Sequence, residues 1–200
     1  MRLIRRLASI AGVVLALAGL GGLGGCASFY IDRSGPTVGV ADIVKTKDSR
    51  PVQLFYEYQT RGIANARATA ATSDAVRLVV IDSNLFTSVS ALPAAGRRLV
   101  IAINNVPITS AAEARAKGFV TGLTFGLAGT TVADGIACTA TLFDGEVVTA
   151  SASAQSAVYT TIGAASAPPG LTAMQPADAL REIVTQLTWR VLRDLSHTDQ

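Results

Sequence analysis

Residues 135 to 161 read GIACTATLFDGEVVTASASAQSAVYTT, and this stretch decides the fold. Asp144-Gly145 supplies the positive backbone φ angles of a two-residue turn. Both flanks alternate: Ile136, Cys138, Ala140 and Leu142 before the turn, Val148, Ala150, Ala152 and Ala154 after it. The pattern predicts a β-hairpin with strands from Gly135 to Phe143 and from Glu146 to Thr161. Thr149, Ser151, Ser153 and Gln155 form the polar face of its second strand and are expected to meet water. A hairpin with one apolar face is not stable alone and needs a covering layer.

The cover is expected from the C-terminal region. Leu180, Ile183, Val184, Leu187, Val191 and Leu195 fall on one stripe of a helix from Ala177 to Leu195, with Pro176 suited to its entry. Trp189 lies off the centre of that stripe and reads as a partly buried boundary residue. Upstream, Val52 to Tyr58 alternates cleanly and Val38 to Val44 is a second candidate strand, the charged KTKDSRP between them reading as a solvated turn. From Gly62 to Ser83 the period is helical, with Ala64, Ala68, Ala71, Ala75, Leu78 and Val79 on one stripe and Asn84 as the stop. Arg97 to Asn105 reads as a strand ended by Pro107, and Ser110 to Glu113 has capping-box spacing for a helical turn over 111–117. Residues 163 to 177 form a Gly, Pro and Ala loop. These elements imply a single α/β (α+β) domain: an antiparallel or mixed sheet with helices packed on one side and an amphipathic C-terminal helix.

Gly118 to Ala133 is uncharged and fits two periods. As a helix it lines Gly118, Gly122 and Gly126 on one face, the spacing that lets helices approach closely in lipid. As a strand it puts Phe119, Leu123 and Phe125 together. An apolar loop or hairpin packed on the domain is one reading, and a membrane-contacting or self-associating segment is the other.

The N-terminus is a targeting segment. Met1, Arg2, Arg5 and Arg6 precede an uncharged stretch from Leu7 to Leu23, which runs into Leu23-Gly24-Gly25-Cys26. Read instead as an uncleaved span, the stretch sits at the short limit for crossing a bilayer and carries glycines that weaken a helix. Leu23 to Cys26 resembles the lipobox of bacterial lipoproteins. That resemblance implies a diacylglyceryl group on Cys26, removal of residues 1–25, a tether over 26–36 and a periplasmic domain over 37–200. Ala27 rather than Asp after the cysteine implies, by the enterobacterial sorting pattern, the outer membrane. The stretch LVVIDSNLFTSV is similar to a helix-to-strand unit of the penicillin-binding-protein-activator and curli-secretion lipoprotein families, with Phe86 and Val89 as the matching residues.

Of 17 Lys and Arg residues, Arg2, Arg5 and Arg6 leave with the signal, so the mature chain has as many basic as acidic residues, 14. That balance gives no electrostatic footprint for nucleic acid. With Cys26 acylated, Cys138 is the remaining cysteine, so no internal disulfide forms and a buried apolar role is expected for it. His197 is the only histidine, which leaves metal sites and nucleophile–histidine pairs almost nothing to use. Asp144 and Glu146 flank a turn in water and read as solubility charges. No cofactor, metal or enzymatic activity is expected. The leading expectation is a non-enzymatic binding or accessory protein of the cell envelope, held to the membrane through its N-terminal lipid and serving an envelope protein partner. The alternative is a component of a self-associating secretion or pore assembly that uses residues 118–133.

Overall fold

The computed structural model describes residues 27–45, 49–92, 96–108, 130–162 and 166–198. They form a seven-stranded mixed sheet and two helices. In chain order these are β1 (Ser28–Ile31), β2 (Val52–Thr60), β3 (Ile63–Ala64), α1 (Ala66–Asp82), β4 (Val89–Ser90), β5 (Arg97–Ile108), β6 (Thr130–Asp144), β7 (Val147–Ile162) and α2 (Pro176–Thr198). Across the sheet the order is β1-β7-β6-β5-β2-β3, with β4 also on β2. β2 runs parallel to β4 and β5, and every other pair is antiparallel.

The predicted hairpin is β6 and β7, and its alternation sets the layers. Leu54, Leu99, Leu142 and Ala150 share one rung, Tyr56, Ile101, Ala140 and Ala152 the next, and Tyr58, Ile103, Cys138 and Ala154 the one after. These side chains face both helices in one continuous core, so α1 and α2 lie on the same side. Alanines on β6 and β7 keep that part of the sheet low, which lets α2 settle close upon it. Leu99, Ile101, Ile103, Leu142, Ile183, Val184, Leu187, Val191 and Leu192 are fully enclosed. Each such side chain contributes about 1.5–3 kcal/mol relative to exposure. Trp189 is partly buried against the core, as expected for a boundary residue.

Several elements differ from the sequence expectation. The hairpin loop is Gly145-Glu146, between the paired Asp144 and Val147, rather than Asp144-Gly145. Gly145 has φ 61° and Glu146 is not left-handed, which is the pattern of a type II′ turn. An irregularity between Leu142 and Phe143 leaves Thr149 as an extra residue, whose hydroxyl donates to the Leu142 carbonyl at 3.2 Å. Val148 is thereby turned to the other face and is 53% exposed.

Val38 to Val44 is not a strand; it holds one 3₁₀ turn, Val40–Asp42, in which the Asp42 carboxylate accepts from the Gly39 N–H at 2.9 Å. On α1 the buried residues are Thr72, Val76, Val79 and Val80, while Leu78 is exposed. The stripe is rotated because Thr72 is satisfied inside: its hydroxyl donates to the Ala68 carbonyl at 2.7 Å and receives the Tyr56 hydroxyl at 2.7 Å.

Pro107 does not end β5, which continues to Ile108. The Arg61 N–H bonds the Asn105 carbonyl, so odd-numbered residues here point toward β2, which has already ended. A missing N–H at Pro107 therefore breaks no ladder bond. Finally, the sheet begins inside the stretch read as a tether. Phe29 and Ile31 alternate with Tyr30, and β1 pairs with Val158 to Thr161. The helical turn expected over 111–117 lies outside the described residues.

Candidate functional site at one end of the sheet

Ser28 pairs with Thr161, and Thr161 pairs with Thr131. Ile108 pairs with Ala133 one rung away. These registers bring the start of β1, the end of β5 and the start of β6 to the same end of the sheet. Cys26 lies outside the described residues, two positions before Ser28. Strands sit about 4.8 Å apart, so Ser28, Ile108 and Thr130 stand within a few strand spacings of one another at this end. Gly118, Phe119, Gly122, Leu123, Phe125 and Gly126 also lie outside the described residues. Only the tail of that uncharged segment, 130–133, is seen, and it is strand.

Strand alternation gives this end two different faces. On the helix-free face Tyr30, Ile108, Ala133, Ala157 and Tyr159 form a second apolar cluster, with Val106, Ala137 and Leu171 against it. The Tyr159 hydroxyl is enclosed and has no hydrogen-bond partner among the described residues. Burial first, and then the negative charge of Asp32, push its ionisation well above the ordinary phenol range. A buried hydroxyl left unpaired costs about 1–3 kcal/mol.

On the helix side a cavity of about 270 Å³ opens between the starts of α1 and α2, walled by Phe29, Ala68, Ile136, Leu180 and Ile183. Asp134, Asn105, Asn65 and Thr60 supply its polar groups. Burial raises the Asp134 carboxyl above its ordinary value, and Arg61 offsets part of that rise. Burial likewise raises the Tyr58 phenol, against a hydrogen bond with Asn105. The arrangement is a mostly apolar cleft with one protonatable carboxyl, able to hold a small group.

A second cavity, about 420 Å³, lies beside β7 under the C-terminal half of α2. Arg190 is buried there, its Nε donating to the Pro36 carbonyl at 3.0 Å and its Nη1 to the Gln155 carbonyl at 3.4 Å. Burial lowers its pKa, and Asp32 opposes that shift. Asp32 in turn accepts from the N–H and hydroxyl of Ser34 at 2.9 and 3.0 Å. Gly35 lies so close that a Cβ on it would stand 2.5 Å from Arg190 Nη1. Arg193 is bound to Asp194 at 2.7 Å.

The remaining chemistry is spare. Cys138 is fully enclosed and burial pushes its thiol up to about 12, so it packs as an apolar residue, as its sequence context suggests. Asp144 pairs with Arg50 at 2.6 Å and Glu146 approaches Arg98 at 3.9 Å, on different partners. Among the described residues no three His, Cys, Asp or Glu side chains converge on a metal position, and no helix is long and apolar enough to cross a membrane. Sequence reasoning missed the buried Arg190 and the half-buried Asp134. Both stand at positions whose neighbours predict burial, one beside Val191 on the α2 stripe and the other two residues before Ile136, and that was the available signal.

The chain matches no protein-family model and no curated protein. Among solved structures it is similar to protein XCC0632 from Xanthomonas campestris, described under the family model DUF330, at 15% identity and a TM-score of 0.36, over 80% of this chain and 90% of that one. It is also similar to a PelC dodecamer from Paraburkholderia phytofirmans, at 16% identity and a TM-score of 0.27, over 86% and 97%. Likenesses this low carry no argument about the role of the chain.

Proposed function

We propose that the chain is a lipid-anchored protein of the cell envelope, held through Cys26 in the periplasmic leaflet of the outer membrane. There it serves as a non-enzymatic binding or accessory protein for another envelope component. The supporting observation is the position of β1: a strand locked into the sheet starts two residues after Cys26. A lipid on that cysteine therefore holds the domain against the membrane with almost no slack, a geometry that suits steadying a membrane-bound partner.

A second reading, a self-associating secretion or pore assembly, draws support from Ile108 and Thr130, which deliver residues 109–129 to the same end as Ser28.

Membrane fractionation of cells producing the wild-type chain and Cys26→Ala tests the anchor. The wild type should sediment with outer membrane, and the variant should be soluble or remain an uncleaved precursor in the inner membrane. A Cys26→Ala chain processed and sedimenting like the wild type would overturn the proposal. Co-purification from detergent-solubilised membranes then separates the two readings: a different envelope protein supports the accessory role, and copies of this chain alone support the assembly.

A further inference from the structure

The two lateral edges of the sheet end differently. On the β2 side outward backbone groups are met at both ends and at Tyr58. Val52 N–H bonds the Ser88 carbonyl at 2.9 Å, Tyr58 N–H bonds the Thr69 hydroxyl at 2.9 Å, and the Tyr58 carbonyl takes the Asn65 N–H at 2.8 Å. β3 and β4 cover the two ends of that edge.

On the β7 side, β1 covers only Val158 to Thr161. The Ala157 carbonyl then takes the Asp32 N–H at 2.9 Å, and the Gln155 carbonyl takes Arg190 Nη1 at 3.4 Å. Both bonds come from the outer side, so odd-numbered residues of β7 point outward, and Ser153 and Ser151 have no outer partner among the described residues. The stretch Thr149 to Gln155, TASASAQ, has no charge, no proline and no large side chain. Charges, prolines and covering segments are the usual protections of a sheet edge, and this one lacks them apart from the irregularity at Thr149.

We propose that this edge pairs with the same edge of a second copy, antiparallel, about a two-fold axis at Ala152. Such a contact must be self-complementary. Ala152 is the midpoint of the free stretch, so Ser151 faces the partner's Ser153 and Ser153 faces the partner's Ser151, giving about four backbone hydrogen bonds. The small hydroxyl side chains meet without obstruction. Arg193 and Asp194, which line the trough beside Ser153 to Ser156, carry both signs of charge and in this register stand on the far side of the axis from their own copies, so they set up no like-charge contact. The axis is perpendicular to the sheet, so all the helices of the pair lie on one side. This inference stands independently of the proposed function.

The full chain, purified in detergent, is measured by native mass spectrometry with two double variants. Ser151→Lys with Ser153→Lys opposes like charges across the axis; Ser151→Lys with Ser153→Asp opposes each lysine to an aspartate. All four substituted side chains stand on an exposed, helix-free face, and circular dichroism confirms the fold. The wild type and the Lys/Asp chain should have twice the single-chain mass, and the Lys/Lys chain the single-chain mass. A monomeric wild type overturns the proposal and leaves the edge to a strand of another protein. A Lys/Lys chain that pairs like the wild type, or a Lys/Asp chain that does not pair, overturns it equally.

Discussion

Leu187 is a direct measure of how much α2 contributes. It is fully enclosed, midway along the helix, in a core shared with Ile183, Val184, Val191 and the sheet. Leu187→Ala removes the packed side chain and leaves a cavity, at a cost of about 2–5 kcal/mol. Leu187→Asp loses the same contacts and adds an uncompensated buried charge, worth about 3–5 kcal/mol more. Against a total stability of about 5–15 kcal/mol, the aspartate variant is unfolded or nearly so. The alanine variant stays folded with its Tm lowered by about 5–20 °C, at about 2–4 °C for each kcal/mol. Thermal unfolding followed by circular dichroism reads both. An aspartate variant melting with the wild type would refute the reasoning, because it would mean that the Leu187 stripe faces water or a partner and not the sheet.

Asp134 makes stability depend on pH. Its carboxyl is raised in the fold by burial, so the folded state holds the proton more tightly than the unfolded chain. The favourable contribution is full below the ordinary aspartate pKa of about 3.9 and is lost as pH rises through the raised folded value. Asp134→Asn should therefore be more stable than the wild type at neutral pH, with the gap closing in acid; denaturant titrations at several pH values check the sign. Gly35 and Arg190 should be coupled. Gly35→Ala drives a methyl into the guanidinium and should destabilise by about 1 kcal/mol, but the same change on an Arg190→Ala background should be nearly neutral, and a double-mutant cycle measures the difference.

What could be read from the sequence was whatever alternation and helical period encode. Leu99, Ile101 and Ile103, then Ile136, Cys138, Ala140 and Leu142 on β6, and Ile183, Val184, Leu187, Val191 and Leu195 on α2 are buried as their spacing predicts. What could not be read depends on partners distant in the chain. Nothing near Val52 to Thr60 announces that β2 lies parallel to β5, because parallel pairing leaves no turn signal. Val38 to Val44 has strand-like composition but pairs with no strand among the described residues and holds a 3₁₀ turn instead. Thr72 looks like a surface residue until Tyr56 comes to meet it. At the site, Cys138 was legible from its strand, whereas the meeting of Asp134 with two helix starts, and of Arg190 with Pro36, exists only in the assembled fold.

β1 also constrains the order of folding. Its strand partner among the described residues is β7, so residues 28 to 31 dock against residues 158 to 161, far later in the chain. Closing so long a loop is entropically costly and slow compared with forming the β6–β7 hairpin. On the export route proposed above, residues 28 to 31 would thus stay undocked until residues 158 to 161 have followed. On the lipid-anchor reading proposed above, an enzyme acting at Cys26 would meet a loose strand during that interval, before β1 has docked.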